Sequence, residues 1–374
     1  MGKNVGEWVR RKLEMMGITP YLFGDSVESV QQRFGVERSK IVKLDSNENF
    51  FIPREKLLKL VVEALENLDL RLYPQEEKQE LRDKLSSYAG VPANYIVIGN
   101  GGDELIERIV CLFLEDGEQA LTISPTYSMY RRAVIVQRAK LQEVSLKEDF
   151  SLDVNSLVSC MTAKSKVLFL CSPNNPTANQ FKMDDVKTLI ENFPGMVIVD
   201  ETYFEFADYS VASLIQKYEN LIVLRTFSKA FGLAGLRLGY CIADAEVAKA
   251  LSDNVGLPYP VNTLSLKVGV KVLENIHIVK EAVKQVKIER EKLVKALNDI
   301  DGVKAFDSKT NFILFKTKRS SAKVYYNLLK RGVIVKKIGA VLNLQNCFRT
   351  AVGLPWMNER FVEALKETCS RLGS

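Results

Sequence analysis

The chain has 374 residues, 52 Lys and Arg against 46 Asp and Glu, a formal charge of +6, and a single histidine, His277. Its 47% hydrophobic and 26% charged residues are a globular balance that excludes disorder, and interspersed charges such as Glu289-Arg290-Glu291-Lys292 exclude the one-sided basic face of a nucleic-acid binder. One histidine excludes multi-histidine zinc sites and leaves most acid–base work to Lys, Tyr, Asp or Glu.

Residues 1–40 carry no strand pattern and are expected to pack on a small lobe. The polar start, Met1 to Gly6, lacks a signal peptide's apolar centre, and no apolar stretch nears the ~18 residues of a membrane span. Cys111, Cys160, Cys171, Cys241, Cys347 and Cys369 form no Cys-x-x-Cys pair, and several sit in apolar runs, as reduced core thiols do. A soluble cytoplasmic protein is expected.

Residues 41–262 read as one large domain. Strands are predicted over Tyr95–Gly99, Ala120–Ile123, Leu141–Ser145, Lys166–Leu170, Met196–Asp200, Leu221–Leu224 and Gly239–Ile242. Runs such as Val167-Leu168-Phe169-Leu170 are apolar throughout, the mark of strands buried on both faces. The fold class is therefore α/β, with a mostly parallel seven-stranded sheet whose ligand belongs at the strands' carboxyl ends. From Asn262 to Asn298 a long amphipathic pattern free of proline predicts a linking helix. It leads into a smaller α+β domain, so that residues 263–374 form the second unit. Strands are expected there at Phe312–Phe315, Val333–Lys336 and Phe348–Val352, with helices near 321–330 and 358–371.

Four polar clusters close strands of the large domain. After Ile98-Gly99-Asn100, Gly101 and Gly102 turn the chain and Asp103-Glu104 open a helix, whose free N–H groups can cradle a phosphate, although an ordinary capped turn reads the same way. After Cys171, Ser-Pro-Asn-Asn-Pro forms a rigid extended loop that can aim the Asn175 amide at a ligand oxygen. Asp200 ends an apolar strand, where a carboxylate is costly unless something cationic meets it, and Tyr203 follows three residues later. The fourth cluster runs from Leu224 to Tyr240. In it Lys229 stands among Phe227, Ala230 and Phe231, with Arg237 eight residues on. Apolar surroundings and a nearby cation favour the neutral amine that attacks carbonyls. Thr226, Ser228 and Arg237 can bind a phosphate while the glycines between let the backbone approach it.

These parts together describe a site for pyridoxal 5'-phosphate: an amine for its aldehyde, a carboxylate for its ring nitrogen, donors for its phenolic oxygen and a phosphate pocket. Lys229, Asp200, Tyr203 with Asn175, and Gly101-Gly102 with Ser228 and Arg237 meet those needs in turn. On these motifs the chain, from about residue 40 to its end, resembles the class I/II aminotransferases of the aspartate-aminotransferase fold.

Thr19-Pro20-Tyr21, Asp45-Ser46-Asn47-Glu48-Asn49, Arg71-Leu72-Tyr73-Pro74, the run Ser124 to Tyr130 and the run Cys347 to Gly353 are most similar to the histidinol-phosphate aminotransferase family within that group. The resemblance implies transamination between histidinol phosphate and 2-oxoglutarate in histidine biosynthesis, with Lys229 as carrier of the cofactor and then as base. It also implies that Tyr127 stacks on the cofactor ring and that Tyr73 reaches the cofactor phosphate of a neighbouring subunit, hence a homodimer. Arg349 would clamp the substrate anion, and Tyr21 would line the substrate pocket. Two positions depart from the family. Ala178 stands where Asn-Pro-Thr is usually followed by glycine, and Lys336 (followed by Lys337) replaces an arginine that grips substrate phosphate.

Aminotransferases of aromatic amino acids and decarboxylases of phosphorylated amino acids such as threonine phosphate share every cofactor residue. A non-catalytic regulator that binds the same cofactor would need a DNA-binding helix ahead of this domain, and residues 1–40 show no basic recognition helix. A Rossmann dehydrogenase does not match Gly99-Asn100-Gly101-Gly102-Asp103. No motif surrounds His277, which is assigned no role.

Overall fold

The computed structural model describes residues 4–18, 23–66 and 68–371. Near the start, the helix Val5–Met16 is capped by Asn4 and ended by Gly17 in the left-handed region, and none of its residues is buried. The helix Val27–Phe34 instead lies against the helix Ser321–Lys330, with Val30 in a cluster with Leu329 and Ile334. A short strand β1 (Val42–Lys43) follows.

The large sheet comprises β2 (Ile96–Gly99), β3 (Gln119–Ser124), β4 (Lys140–Ser145), β5 (Ser165–Cys171), β6 (Met196–Asp200), β7 (Leu221–Thr226) and β8 (Gly239–Ile242). All seven predicted strands are present, with ends shifted by no more than two residues. Their spatial order is β2-β8-β7-β6-β5-β3-β4, and only β8 runs antiparallel to its neighbours. Alternate residues of each central strand enter different cores. Leu168, Leu170, Val197 and Val199 pack on one side, whereas Val167, Phe169 and Ile198 pack on the other. Burial on both faces is the physical reason these strands lack polar alternation.

The expected single linking helix is two helices, Thr263–Glu274 and Ile276–Asn298. At Asn275 the backbone leaves helical geometry (φ −111°, ψ 34°), and the side-chain amide donates to Lys271 O at 2.9 Å. Asparagine competes in this way for main-chain acceptors that would otherwise continue the helix.

In the small domain β9 (Val303–Ala305), β10 (Phe312–Thr317), β11 (Val333–Ile334), β12 (Lys336–Val341) and β13 (Leu344–Ala351) are joined by the helices Ser321–Lys330 and Pro355–Arg371. The expected strand Val333–Lys336 is divided between sheets. Its first part, β11, pairs in parallel with β1, and the chain then enters the antiparallel sheet β12-β13-β10-β9. Strands β9 and β12 carry exposed, polar positions, so no apolar run marked them.

Ala178 adopts φ +65°, the conformation that a glycine would accept without strain. At Gly195, just before β6, any side chain meets backbone: an added Cβ would lie 2.2 Å from Lys166 O. Gly195→Ala is therefore expected to force β5 and β6 apart and to cost about 3 kcal/mol of stability, read as a lower urea midpoint at unchanged slope. An unchanged midpoint would exclude the close approach.

Candidate active site

A cavity of about 210 Å³ opens at the carboxyl ends of β5, β6 and β7, and Lys336 and Arg349 of the small domain line it too. Asp200, last residue of the central strand, is 3% exposed. Its Oδ2 accepts from Tyr130 Oη at 2.6 Å and its Oδ1 from Thr202 N at 3.0 Å. Among the described residues it forms no ion pair, and burial raises its pKa. Tyr130 is fixed by stacking on Phe169 at 4.7 Å.

Lys229 follows β7, and its Nζ donates to Ser46 O at 3.1 Å. Withdrawal from water, then the cation Arg349 and more weakly Arg237, pull its pKa down to about 8. This amine is thus neutral far more often near physiological pH than a solvent-exposed lysine, although the ammonium form still predominates.

The anion end of the cavity is built on the start of the helix Gly101–Phe113. Gly101 has φ +83°, and a Cβ there would meet Arg237 Nη2 at 2.7 Å. A Cβ on Gly239 would lie 2.8 Å from the Gly101 carbonyl carbon. Glycine is required at both places for the turn to sit beside the guanidinium. Gly102, Asp103, Thr226, Ser228 and Arg237 line this end. Arg237 donates to Ser228 Oγ and to Asp103 Oδ2, both at 3.4 Å, long contacts that leave its charge available to a ligand. Asp103 also accepts from Tyr127 Oη at 2.8 Å.

On the opposite side, Arg349 donates through Nη1 to Asn175 Oδ1 at 2.7 Å and through Nη2 to Asp45 O at 2.6 Å. With its oxygen so engaged, Asn175 presents its amide nitrogen as a donor. Tyr203 Oη accepts from Asn47 Nδ2 at 3.0 Å, which directs the phenol proton elsewhere. Lys336 is the registered partner of Arg349 across β12 and β13, so the two share a face, while Lys337 turns away to lie 5.8 Å over the Tyr325 ring.

The sequence-derived residues thus converge, with exceptions. Gly101 stands behind the cavity wall rather than in its lining. Tyr73 is 76% exposed, stacks on Tyr259 at 4.5 Å, and does not line this chain's cavity. Tyr21 lies outside the described residues. His277 is exposed on the linking helix. Sequence reasoning gave no role to Tyr130, Thr202, Asp45, Ser46 or Asn47. Tyr130 stands three residues after Tyr127, and the polar run from Asp45 follows apolar Leu44, the signals that were present.

The arrangement fits pyridoxal 5'-phosphate on its own chemistry. A buried carboxylate without a cation suits a protonated ring nitrogen, and the glycine turn beside Arg237 suits a phosphate.

The profile described as Aminotransferase class I and II matches residues 39–365. A histidinol-phosphate aminotransferase of Thermoanaerobacter pseudethanolicus is 38% identical over 326 residues, 87% of this chain and 92% of its own. That of Christiangramia forsetii is 33% identical over 367 residues, covering 97% and 98%. Among solved structures, the histidinol-phosphate aminotransferase of Sinorhizobium meliloti in complex with pyridoxal-5'-phosphate superposes with a TM-score of 0.84 at 25% identity, covering 95% of this chain and 98% of that one.

The depressed amine is directly measurable. Reductive labelling of Lys229 by a small neutral aldehyde, read from peptide maps, is expected to rise with a midpoint near pH 8. Arg349→Ala removes a neighbouring cation and should move that midpoint upward. Labelling of Lys229 in step with surface lysines would refute the depression.

Proposed function

The chain belongs to the class I and II aminotransferases, and from that premise we propose that it moves the amino group between histidinol phosphate and 2-oxoglutarate in histidine biosynthesis, in the cytoplasm, with pyridoxal 5'-phosphate as cofactor. The carrying observation is the pairing, in one cavity, of a neutral-prone Lys229 with a buried, cation-free Asp200, in a chain similar over nearly its whole length to histidinol-phosphate aminotransferases.

The bound cofactor supplies an aldehyde for the substrate amine and an electron sink for the carbanion. Asp200 holds the proton on the ring nitrogen that makes the sink effective. Lys229 Nζ would take the proton from the carbon bearing the amino group. Tyr203 and the Asn175 amide would donate to the phenolic oxygen, and the Gly101–Gly102 turn, Ser228, Thr226 and Arg237 would hold the phosphate. Tyr127, hydrogen-bonded to Asp103, supplies a flat face beside the ring. Arg349 clamps the substrate anion. A guanidinium accepts either the phosphate of histidinol phosphate or a carboxylate of glutamate through two parallel hydrogen bonds, so one group serves both halves of the reaction. Tyr21 belongs to the substrate side of this reading.

Half-reaction spectroscopy tests the assignment. Histidinol phosphate is expected to convert the cofactor to its amine form with a higher kcat/KM than phenylalanine, tyrosine or threonine phosphate. Preference for an aromatic amino acid would leave an aminotransferase of another substrate, and carbon dioxide release from threonine phosphate would leave a decarboxylase.

The same reading makes the enzyme a homodimer. Tyr73 is held on the surface beside exposed Leu70 and Leu72, where a second subunit can receive it. Sedimentation equilibrium should give a dimer, and Tyr73→Phe should weaken cofactor binding severalfold without dissociating it. A fully active monomer would rule this out.

A further inference from the structure

Beyond the cavity that holds Lys229 lies a larger hollow of about 490 Å³. Tyr127, Asn175, Lys336 and Arg349 line both, so the two adjoin across shared side chains. One wall of the outer hollow is the helix Met129–Val136. Met129, Arg132 and Ile135, spaced by three residues, present the same face of that helix to it. Among the described residues, the lining contains four cations, Arg131, Arg132, Lys336 and Arg349, and not one carboxylate. Arg131 is already ion-paired with Glu143 outside. Arg132 forms no ion pair among the described residues and stands exposed on the wall.

A hollow of that charge, sharing four lining residues with the reacting centre, suits the anionic end of a substrate. We propose that Arg132 is a specificity-determining residue that grips the phosphate of the amino substrate from the helix side, together with Lys336 of β12. The inference rests on the function proposed above and adds to it a group that the cofactor machinery does not contain. The physical argument concerns hydrogen-bond geometry. A phosphate monoester sits farther from the amino carbon than a carboxylate, by one more carbon and one oxygen, and so extends from Arg349 toward the outer hollow. Lys336 offers it a point charge without a fork. Arg132 adds a forked donor from the helix wall, so that the phosphate, held by Arg349, meets two further cations.

The experiment compares kcat/KM for histidinol phosphate and for histidinol, which lacks the phosphate, in the wild-type holoenzyme and in variants. Arg132→Ala is expected to lower the value for histidinol phosphate about tenfold, mainly through KM. The value for histidinol should stay within about twofold, and Arg132→Lys should recover part of the loss. Competitive inhibition by inorganic phosphate should weaken in parallel. Lys336→Ala should act in the same direction, whereas Lys337→Ala, on the strand's other face, should change neither substrate. Equal losses on both substrates, or none on either, would overturn the role of Arg132 while leaving the function intact. A wild-type enzyme that does not favour histidinol phosphate over histidinol would sink the functional reading, and this assignment with it.

Discussion

Burying a carboxylate at the tip of the central strand, with no cation among the described residues paired to it, is the constraint around which the site is arranged. Two hydrogen bonds, from Tyr130 and from the Thr202 main chain, hold Asp200 in place, yet neither supplies a positive charge. Such burial is costly for a carboxylate that only neutral donors meet, and the cost falls when a cation is brought to it. Strand register then decides what else can be near. Cys171 of β5 and Leu224 of β7 sit level with Asp200, so the loops that follow those strands deliver Asn175 and Lys229 to the same edge. A slip of one residue in β6 would turn the carboxylate to the opposite face of the sheet and dismantle the site.

The second organising element is the loop 45–49, with Asn47 in the left-handed region at φ +54°. Its main chain accepts from Lys229 at Ser46, from Arg349 at Asp45 and from Asn311 at Asn47. Its side chains reach Tyr203 and the Ala230 carbonyl. Lys229 and Tyr203 come from the large domain, Arg349 and Asn311 from the small one. One five-residue segment therefore sets the spacing between the Lys229 amine and the Arg349 guanidinium.

Much of this was legible in the sequence because burial on both faces leaves an unmistakable apolar run. Val167 to Leu170 and Val197 to Val199 announce strands without help from any neighbour. The polar residues that interrupt such runs at their ends, Asp200 above all, are legible for the same reason. Where burial is one-sided or partial the signal fades. Strand β12 mixes exposed and half-buried positions with a single buried one, Val341, and the break at Asn275 depends on one side chain taking a main-chain acceptor. The unassigned site residues share a different difficulty. Tyr130 meets Asp200 across 70 residues and Asn47 meets Tyr203 across 156, contacts created by topology alone.

The division of the sheet's side chains between two cores has an evolutionary consequence. Val97, Phe169 and Ile198 press on the helices that begin at Gly101 and Met129, which carry the anion turn and the wall of the outer hollow. Ile98, Leu168 and Val199 belong to the core shared with Phe312 and Phe315 of the small domain. Adjacent codons of one strand thus write to separate registers. A lineage can exchange volume at one position and retune how anions are held, then exchange volume at the next and retune how the domains meet, with little interference between the two.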